Sequence, residues 1–265
     1  MGGHRARKRF GQHFLTDPGV IDAIVRAVHA TADDVVVEIG PGRGAITDAL
    51  AQQAGLLHAV ELDRDLAARL RSRYANRASV TIHEADALRF DFGRLGNRLR
   101  IVGNLPYNIS TPVMFHLLQN AELIEDMTFM LQLEVVQRLG AKPGNKNYGR
   151  LGIMVQYFCE VEHLFNVPSA AFTPKPKVSS AIVRLTPHAR REVEARSVEA
   201  LQTVVRTAFN LRRKTLKNSL KAIMSAETLA QIPVSLSERP ENLSLSDYVA
   251  ISDLFAQELN QSHHD

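Results

Sequence analysis

The strongest constraint on the fold is the alternation of short β-branched runs with helix-like segments along the first two thirds of the chain. The expected strands are residues 34–39, 57–62, 79–83, 99–102 and 128–132, and the first expected helices are residues 45–53 and 65–74. Strands separated by helical segments need crossover connections, which predict a parallel sheet with helices on both faces. Ligands of such α/β sheets bind at the carboxyl ends of the strands.

A different pattern follows one further strand-like run at residues 180–185. Pro187 interrupts that run, and after it the chain reads as short helices. From Ser197 onward apolar residues recur at helical spacing, namely Leu201, Val204, Val205, Ala208 and Phe209. We therefore predict two domains, an α/β domain of residues 1–187 and a small helical domain of residues 188–265.

The composition is that of an ordinary globular protein, with 45% apolar and 23% charged residues in 265. The single cysteine, Cys159, excludes an intrachain disulfide and a multi-cysteine metal site, which favours a reducing compartment. The basic residues near the start are not followed by the apolar core of a signal peptide, and no apolar stretch is long enough to cross a membrane. We expect a cytoplasmic protein with no membrane partner, and the scattered histidines predict no metal site.

Basic residues are concentrated late in the chain. The net charge is only +4, but residues 190–221 carry nine Lys or Arg against three Asp or Glu, and residues 222–265 carry one against seven. Within the basic block, Lys214, Lys217 and Lys221 are spaced by three and four and share one helical face. This pattern indicates a basic face for a polyanion, although an ordinary solvated surface has the same signature.

A glycine-rich turn ends the first expected strand. In Glu38-Ile-Gly-Pro-Gly-Arg-Gly44, glycines at alternate positions allow the backbone to turn sharply and to approach a bound molecule closely. The spacing is G-x-G-x-G and differs from the G-x-G-x-x-G of dinucleotide-binding proteins. By itself this turn predicts a binding loop only weakly, since a tight turn without a ligand would look the same.

Acidic residues stand at the ends of the next two expected strands. Glu61 lies 21 positions after Gly40, where a carboxylate can accept hydrogen bonds from ribose hydroxyls. Asp63 competes for that role, but we expect it to begin the next helix. Asp86 follows the third strand and could accept from an adenine amine or simply cap a turn. With the glycine turn, these acids point to an adenosine-containing cofactor.

The segment Gly103-Asn-Leu-Pro-Tyr-Asn108 follows the fourth expected strand. The Asn104 side-chain oxygen and the carbonyl before Pro106 can both accept from an exocyclic amine, and Tyr107 offers a flat face. Enzymes that modify nucleobases hold a base outside its stack between such planes. An ordinary proline turn is the alternative when the segment is considered alone.

With these motifs in order, the chain resembles the ribosomal RNA adenine N6-dimethyltransferase family, in particular its bacterial small-subunit branch. One departure is His13, where the family usually carries Asn. The matching motifs, which lie between residues 8 and 248, are Gly11-Gln-His-Phe-Leu15, Glu38-Ile-Gly-Pro-Gly-Arg-Gly44, Glu61-Leu-Asp63, Asp86-Ala-Leu88, Gly103-Asn-Leu-Pro-Tyr107, Phe172-Thr-Pro-Lys-Pro-Lys-Val-Ser179 and Arg212-Arg-Lys-Thr-Leu216.

The resemblance implies a class I S-adenosylmethionine-dependent methyltransferase sheet, which is Rossmann-like, and a small all-α C-terminal domain. The substrate would be two adjacent adenosines in a hairpin near the 3′ end of small-subunit rRNA, presented by an immature 30S subunit. Each adenosine would receive two methyl groups at N6 from S-adenosylmethionine, and the enzyme would act as a monomer.

The resemblance also assigns residues. The cofactor would be held by His13, Leu15, Gly40, Gly42, Glu61, Asp86 and Asn104. The target adenine would be held by Asn104, Leu105, Pro106, Tyr107 and Phe172, although Phe172 could instead belong to the core. From the basic block, we expect RNA phosphates to be bound by Arg212, Arg213, Lys214, Lys217 and Lys221. Lys175 and Lys177, which follow Phe172, are likewise expected to contact phosphate.

Three other functions compete with this interpretation. A nicotinamide-dependent oxidoreductase would need the G-x-G-x-x-G spacing and would leave the Asn104–Tyr107 turn unexplained. A non-catalytic binding protein could reuse the fold, but it would not need that turn intact. A large-subunit rRNA methylase is the nearest alternative, and it is disfavoured only by analogy in residues 172–179 and 210–219.

Overall fold

The computed structural model describes residues 13–210 and 214–261. None of the described helices is both long and apolar enough to cross a membrane. The strands within these ranges are β1 (Phe14–Leu15), β2 (Val35–Ile39), β3 (Leu56–Glu61), β4 (Val80–Glu84), β5 (Leu99–Asn104), β6 (Ile124–Gln132), β7 (Cys159–Val167), β8 (Phe172–Thr173) and β9 (Ser180–Pro187). The helices are α1 (Pro18–Val28), α2 (Thr47–Gln53), α3 (Arg64–Arg73), α4 (Ser110–Leu118), α5 (Leu133–Leu139), α6 (Arg150–Phe158), α7 (Val198–Asn210), α8 (Leu216–Leu220), α9 (Ala226–Ala230) and α10 (Leu245–Gln261).

Seven of these strands form one sheet in the order β4-β3-β2-β5-β6-β9-β7. The neighbours from β4 to β6 are parallel, as the alternation predicts. The strand β9, whose direction the sequence left open, pairs antiparallel with β6 and makes the sheet mixed at this side. The segment before β9 carries Pro174 and Pro176 and forms no helix, and an antiparallel neighbour needs no crossover helix.

The strand order reverses at β2. From β2 the chain continues to β3 and β4 on one side and then returns to place β5 on the other side. At the carboxyl end, Ile39 is paired with Val60 of β3 and with Gly103 of β5. A reversal of this kind opens a crevice outside the strand ends, and that crevice is where α/β sheets bind ligands.

The sheet is covered on both faces. Successive side chains of a strand point to opposite faces, and the neighbouring Val36 and Val37 of β2 are both fully buried. A near-continuous apolar run such as Val-Val-Val is typical of a parallel strand buried in this way. The core against one face includes Ile24 of α1, Leu57 of β3 and Ile182 of β9.

Local sequence signals set the helix starts that flank the site. Asp17 caps α1 by accepting from the Val20 N–H, and Pro18 occupies the first turn, where its missing N–H costs nothing. Asp63 caps α3 by accepting from the N–H groups of Asp65 and Leu66. The expectation that Asp63 begins the next helix is therefore confirmed.

The described chain divides into two compact units. One unit runs up to Val136 and resumes with Glu160–Pro187, and the other consists of Gln137–Cys159 and the chain from His188 onward. The expected boundary near Pro187 is present, but residues 137–159 group with the second unit and not with the first domain of residues 1–187. The reason is packing, since α6 contacts α7 and α10, and the Arg191 guanidinium lies over the Tyr157 ring.

The second unit is helical within the described residues. The helical spacing after Ser197 is confirmed, because Leu201, Val204, Val205 and Ala208 of α7 are all buried. The Phe209 ring lies 6.1 Å from that of Tyr248 in α10, measured between centroids.

Candidate active site

A cavity of about 240 Å³ opens at the carboxyl ends of the parallel strands, all of it within the first unit. The turns that follow β2, β3, β4 and β5 meet there, together with β1. Its lining includes every residue assigned above to the cofactor, and Leu105, Pro106 and Tyr107 as well. Motifs that lie up to 94 positions apart, from His13 to Tyr107, are thus brought to one site.

The glycine turn gives the cavity a wall of bare backbone. Gly40, Gly42 and Gly44 have φ angles of 70°, 60° and 85°, in the left-handed region that residues with a β-carbon seldom adopt. A β-carbon on Gly42 would also come within 3.4 Å of the Phe14 ring. The alternate glycines are therefore required by the turn itself, and they let a ligand approach the main chain.

Glu61 connects this turn to the end of β3 through a hydrogen bond. Its Oε2 accepts from the Gly42 N–H at 3.0 Å, and its Oε1 accepts from the Asp63 N–H at 2.8 Å. Burial raises the pKa of Glu61, while the hydrogen bonds from the Asp63 and Gly42 backbone hold that rise back. A carboxylate has about four acceptor positions, so two hydrogen bonds leave Glu61 able to accept from a ligand.

Asp86 lies in the turn after β4 and lines the same cavity. Its Oδ1 accepts from the Leu88 N–H at 3.0 Å, so the turn-capping interpretation is correct. That role does not compete with binding, because a second carboxylate oxygen remains as an acceptor at the cavity wall.

Glu38 is a cavity residue whose role the sequence did not reveal. It lies next to the end of β2, is only 3% exposed, and its Oε2 has no hydrogen-bond partner among the described residues. Burial, with the negative charges of Glu61 and Asp48 nearby, raises the pKa of Glu38 to about 7. The available signal was an acid inside the β-branched run Val-Val-Val-Glu-Ile, where an uncompensated charge is costly.

The Asn104 side chain is oriented by the backbone of the chain before β1. Its Nδ2 donates to the His13 carbonyl at 3.2 Å, and its Oδ1 accepts no hydrogen bond from the described residues. The next peptide is also held, because the Leu105 N–H donates to the Met130 carbonyl at 3.3 Å. The turn therefore presents an amide oxygen at a cavity wall with a fixed backbone.

Tyr107 is held at both its hydroxyl and its ring. The hydroxyl lies 2.9 Å from the Ser180 hydroxyl, and the ring stacks with the His13 imidazole at a centroid distance of 5.9 Å and an interplanar angle of 27°. The His13 Nδ1 in turn donates to the Pro174 carbonyl at 2.8 Å. Three segments distant in sequence thus fix one aromatic plane beside the cavity.

Phe172 is not part of this wall. It lies in β8, which pairs with β1 so that Phe172 faces Leu15, and its side chain is 4% exposed within the hydrophobic core. This burial agrees with the alternative, kept open above, that Phe172 belongs to the core, and the β1–β8 pairing accounts for the direction of its ring. Lys175 and Lys177, in the same motif, are exposed.

The predicted RNA-binding residues belong to the second unit. Lys214, Lys217 and Lys221 are exposed, while Leu216 and Leu220 of α8 are fully buried. Only Lys217 lies within α8, whereas Lys214 precedes the helix and Lys221 follows it, so the prediction that the three lysines share one helical face is wrong. The three side chains are nevertheless exposed while the leucines of α8 are buried. Arg212 and Arg213 lie outside the described residues.

The side chains of the cavity fit an adenosine-containing cofactor. Carboxylates at the ends of β3 and after β4 can accept from hydroxyl and amine groups, and the bare glycine backbone permits close approach. Among the described residues, no group of three or more His, Cys, Asp or Glu is arranged to hold a metal ion.

Comparison with known proteins gives a consistent result. The sequence profile of the family described as Ribosomal RNA adenine dimethylase matches residues 3–257. A protein of Marinobacter nauticus named Ribosomal RNA small subunit methyltransferase A is 58% identical over 256 residues, which cover 96% of this chain and 93% of that protein.

Two solved structures extend the similarity to three dimensions. A dimethyladenosine transferase from Plasmodium falciparum superimposes with a TM-score of 0.77 at 27% identity, covering 95% of this chain and 98% of that one. The 23S rRNA methyltransferase ErmE gives a TM-score of 0.69 at 26% identity, covering 92% and 100%. Both are similar over nearly their whole length.

The raised pKa of Glu38 predicts a pH-dependent stability difference between the native chain and Glu38→Gln. The unfolded carboxyl titrates at about its ordinary 4.5, and the folded one at about 7. The folded chain therefore binds the proton more tightly, and its stability falls as pH rises through this window. Urea denaturation should show the variant gaining about 3 kcal/mol over the native chain between pH 4.5 and pH 8.

The control for this measurement is Glu160→Gln, which changes an exposed carboxyl. Its stability difference from the native chain should stay nearly constant over the same pH range. A constant difference for Glu38→Gln as well would contradict a raised pKa of Glu38 in the folded state.

Proposed function

This chain belongs to the ribosomal RNA adenine dimethylase family, and we propose that it dimethylates two adjacent adenosines in a hairpin near the 3′ end of small-subunit rRNA. It is an S-adenosylmethionine-dependent rRNA methyltransferase. The finer proposal is that an immature 30S subunit presents the hairpin to a monomeric enzyme in the cytoplasm, as a step of small-subunit maturation.

One observation carries the proposal: the glycine turn and the Asn104–Tyr107 turn line a single cavity. The first turn follows β2 and the second follows β5, and these strands are paired in the sheet. A cofactor held by the first turn and a base held by the second would be neighbours. Positioning of two reactants in this way can supply a large part of a rate enhancement.

We assign cofactor binding to carboxylate acceptors and to the exposed backbone of the glycine turn. Glu61 would accept from the ribose hydroxyls and Asp86 from the adenine amine, while Gly40 and Gly42 admit the ligand against the main chain. When bound, S-adenosylmethionine supplies a methyl group on a sulfonium that needs no further activation. The chain's own task is then to orient the acceptor nitrogen and to exclude water.

The base side of the site would make N6 of adenine more nucleophilic. The N6 lone pair is delocalised into the ring, and hydrogen bonds from its N–H groups favour a more tetrahedral nitrogen. The acceptors would be the Asn104 Oδ1 and the Leu105 carbonyl, next to Pro106, which has no N–H to donate. Tyr107 would provide the stacking plane for the flipped base.

The choice of small-subunit over large-subunit rRNA rests on relative similarity. The relative named for the small subunit is 58% identical, whereas ErmE, named for 23S rRNA, is 26% identical at similar coverage. Family membership and the Asn104–Tyr107 turn also disfavour an oxidoreductase or a binding protein without activity.

The decisive experiment maps methylated adenosines in rRNA from cells with and without this protein by mass spectrometry. The proposal expects two adjacent N6,N6-dimethyladenosines near the 3′ end of small-subunit rRNA, present only when the protein is present. Modification of large-subunit rRNA instead would contradict it.

Replacement of Glu61 should weaken cofactor binding. A lost hydrogen bond to a charged acceptor costs roughly 1.5–3 kcal/mol, so calorimetry on Glu61→Ala should show about a tenfold to hundredfold loss of S-adenosylmethionine affinity. The control is Asp63→Ser, which retains a helix-capping acceptor and should bind nearly normally. Unchanged affinity in folded Glu61→Ala, with a loss in Asp63→Ser, would transfer the role to Asp63.

Replacements of Tyr107 and Phe172 should have different consequences. Stacking of a base on an aromatic side chain is worth about 1–3 kcal/mol, so Tyr107→Ala should lower methyl transfer while preserving cofactor affinity. Phe172→Ala should instead lower the free energy of unfolding by about 3–5 kcal/mol, because it empties a core position. Tyr107→Phe keeps the plane and serves as the control, and a loss of stability in Tyr107→Ala equal to that in Phe172→Ala would refute the distinction.

The exposed lysines of α8 and its flanks are proposed to bind rRNA phosphates, which position a substrate without reading its sequence. A triple variant, Lys214→Glu, Lys217→Glu and Lys221→Glu, should bind small subunits more weakly. Each lost phosphate contact should flatten the salt dependence by roughly 0.7–0.9 log units per log unit of salt. Affinity for S-adenosylmethionine should not change.

A matched triple variant separates a contact from a general charge effect. Arg26→Glu, Arg77→Glu and Arg94→Glu change the net charge by the same amount at exposed positions of the first unit. This control should keep the native salt slope. Equal slopes for the two triples would mean that the lysine face is ordinary surface.

A further inference from the structure

His13 makes three contacts in the part of the site that is proposed to hold the target base, and the role assigned to it above does not explain them. Its backbone carbonyl accepts from the Asn104 Nδ2, its Nδ1 donates to the Pro174 carbonyl, and its ring stacks with Tyr107. These contacts join three segments that the sequence separates by up to 161 positions. His13 also departs from the asparagine that the resembled family usually carries.

We propose that the His13 ring is a positioning element for the target base, which backs one face of Tyr107 so that adenine stacks on the opposite face. This inference rests on the proposed function, because it presumes that Tyr107 is the stacking plane. His13 acts through Tyr107 and Asn104 and is a positioning residue, not a catalytic one.

The hydrogen bond to Pro174 fixes the orientation of the imidazole. A carbonyl oxygen can only accept, so Nδ1 carries the proton in this contact. The bond at 2.8 Å anchors one edge of the ring, which lies at an interplanar angle of 27° to Tyr107. Tyr107 is itself held at its far end by Ser180, so the plane is set from both ends.

The His13 backbone sets the second base contact. The His13 carbonyl accepts a hydrogen bond from the Asn104 Nδ2. The Asn104 carboxamide is therefore oriented so that its Oδ1 is the available acceptor. An acceptor is what the amine at N6 requires, whereas a flipped carboxamide would present a donor. This contact uses the main chain, so substitutions of the His13 side chain should leave it in place.

Two substitutions of His13 distinguish the contribution of its ring from that of its hydrogen bond to Pro174. In His13→Asn, a short carboxamide can still donate toward the Pro174 carbonyl, but there is no ring to stack. In His13→Phe, the ring remains and the donor is lost. If the ring backs Tyr107, the phenylalanine variant should retain function better than the asparagine variant does.

The experiment measures kcat/KM for small ribosomal subunits that lack adenine methylation, together with S-adenosylmethionine affinity by calorimetry and thermal unfolding. His13→Asn should lower kcat/KM about two- to tenfold, the range expected for a lost aromatic pair. His13→Phe should lower kcat/KM less than His13→Asn does. Because His13 also lines the cavity assigned to the cofactor, kcat/KM is compared at saturating S-adenosylmethionine, and cofactor affinity is measured for each variant.

A double-mutant cycle tests whether His13 acts through Tyr107. In a Tyr107→Ala background, His13→Asn should have no further effect, because the ring that it backs is gone. The same loss in both backgrounds would overturn the inference, and so would native rates in His13→Asn or equal losses in His13→Asn and His13→Phe.

The controls distinguish failure of this inference from failure of the proposed function. If Tyr107→Ala keeps native rates, the proposed stacking role of Tyr107 fails and the inference fails with it. If Tyr107→Ala loses activity without coupling to His13, only the inference fails. If the native enzyme does not methylate small subunits at all, the proposed substrate is wrong.

Discussion

The site depends on one buried carboxylate that joins two strand ends. Glu61 accepts from the Gly42 N–H on one oxygen and from the Asp63 N–H on the other. The parallel register already aligns the carboxyl ends of β2 and β3, since Ile39 pairs with Val60. Glu61 adds the connection between the turns beyond those strands. Without it, two buried N–H groups would lack a partner, at a cost of about 1–3 kcal/mol each.

Local patterns were sufficient to predict the central sheet. The β-branched runs and glycine turn located β2 to β6 within a few residues, because a strand buried on both faces needs continuous apolar sequence. The pairing of β1 with β8 was not predictable in this way. Its two residues carry no strand pattern, and their partners lie about 160 positions away. The grouping of residues 137–159 with the second unit likewise depends on contacts that no local signal encodes.

The same distinction explains which site residues were found. Residues at or just after strand ends were placed correctly at the cavity because the fold brings strand ends together, as for Glu61, Asp86 and Asn104. The burial of Phe172 could not be decided from the sequence, because the direction of its ring depends on the β1–β8 pair. The raised pKa of Glu38 was not predicted, because it comes from burial beside Glu61 and Asp48, which the linear sequence does not display.

The charge distribution around the cavity constrains how a nucleic acid can use it. The cavity is lined by four acidic side chains, which are Glu38, Glu61, Asp63 and Asp86. The basic and imidazole side chains in the lining are Arg43, which is exposed, and His13. Such a wall suits a cationic sulfonium and repels phosphate. Exposed cations of the same unit lie outside the cavity lining, at Lys175 and Lys177. We therefore expect a polyanion to keep its backbone on cationic surface and to place an uncharged base in the acidic cavity. Extrusion of the target adenine from its stack would satisfy that expectation and would also bring its N6 to the methyl donor.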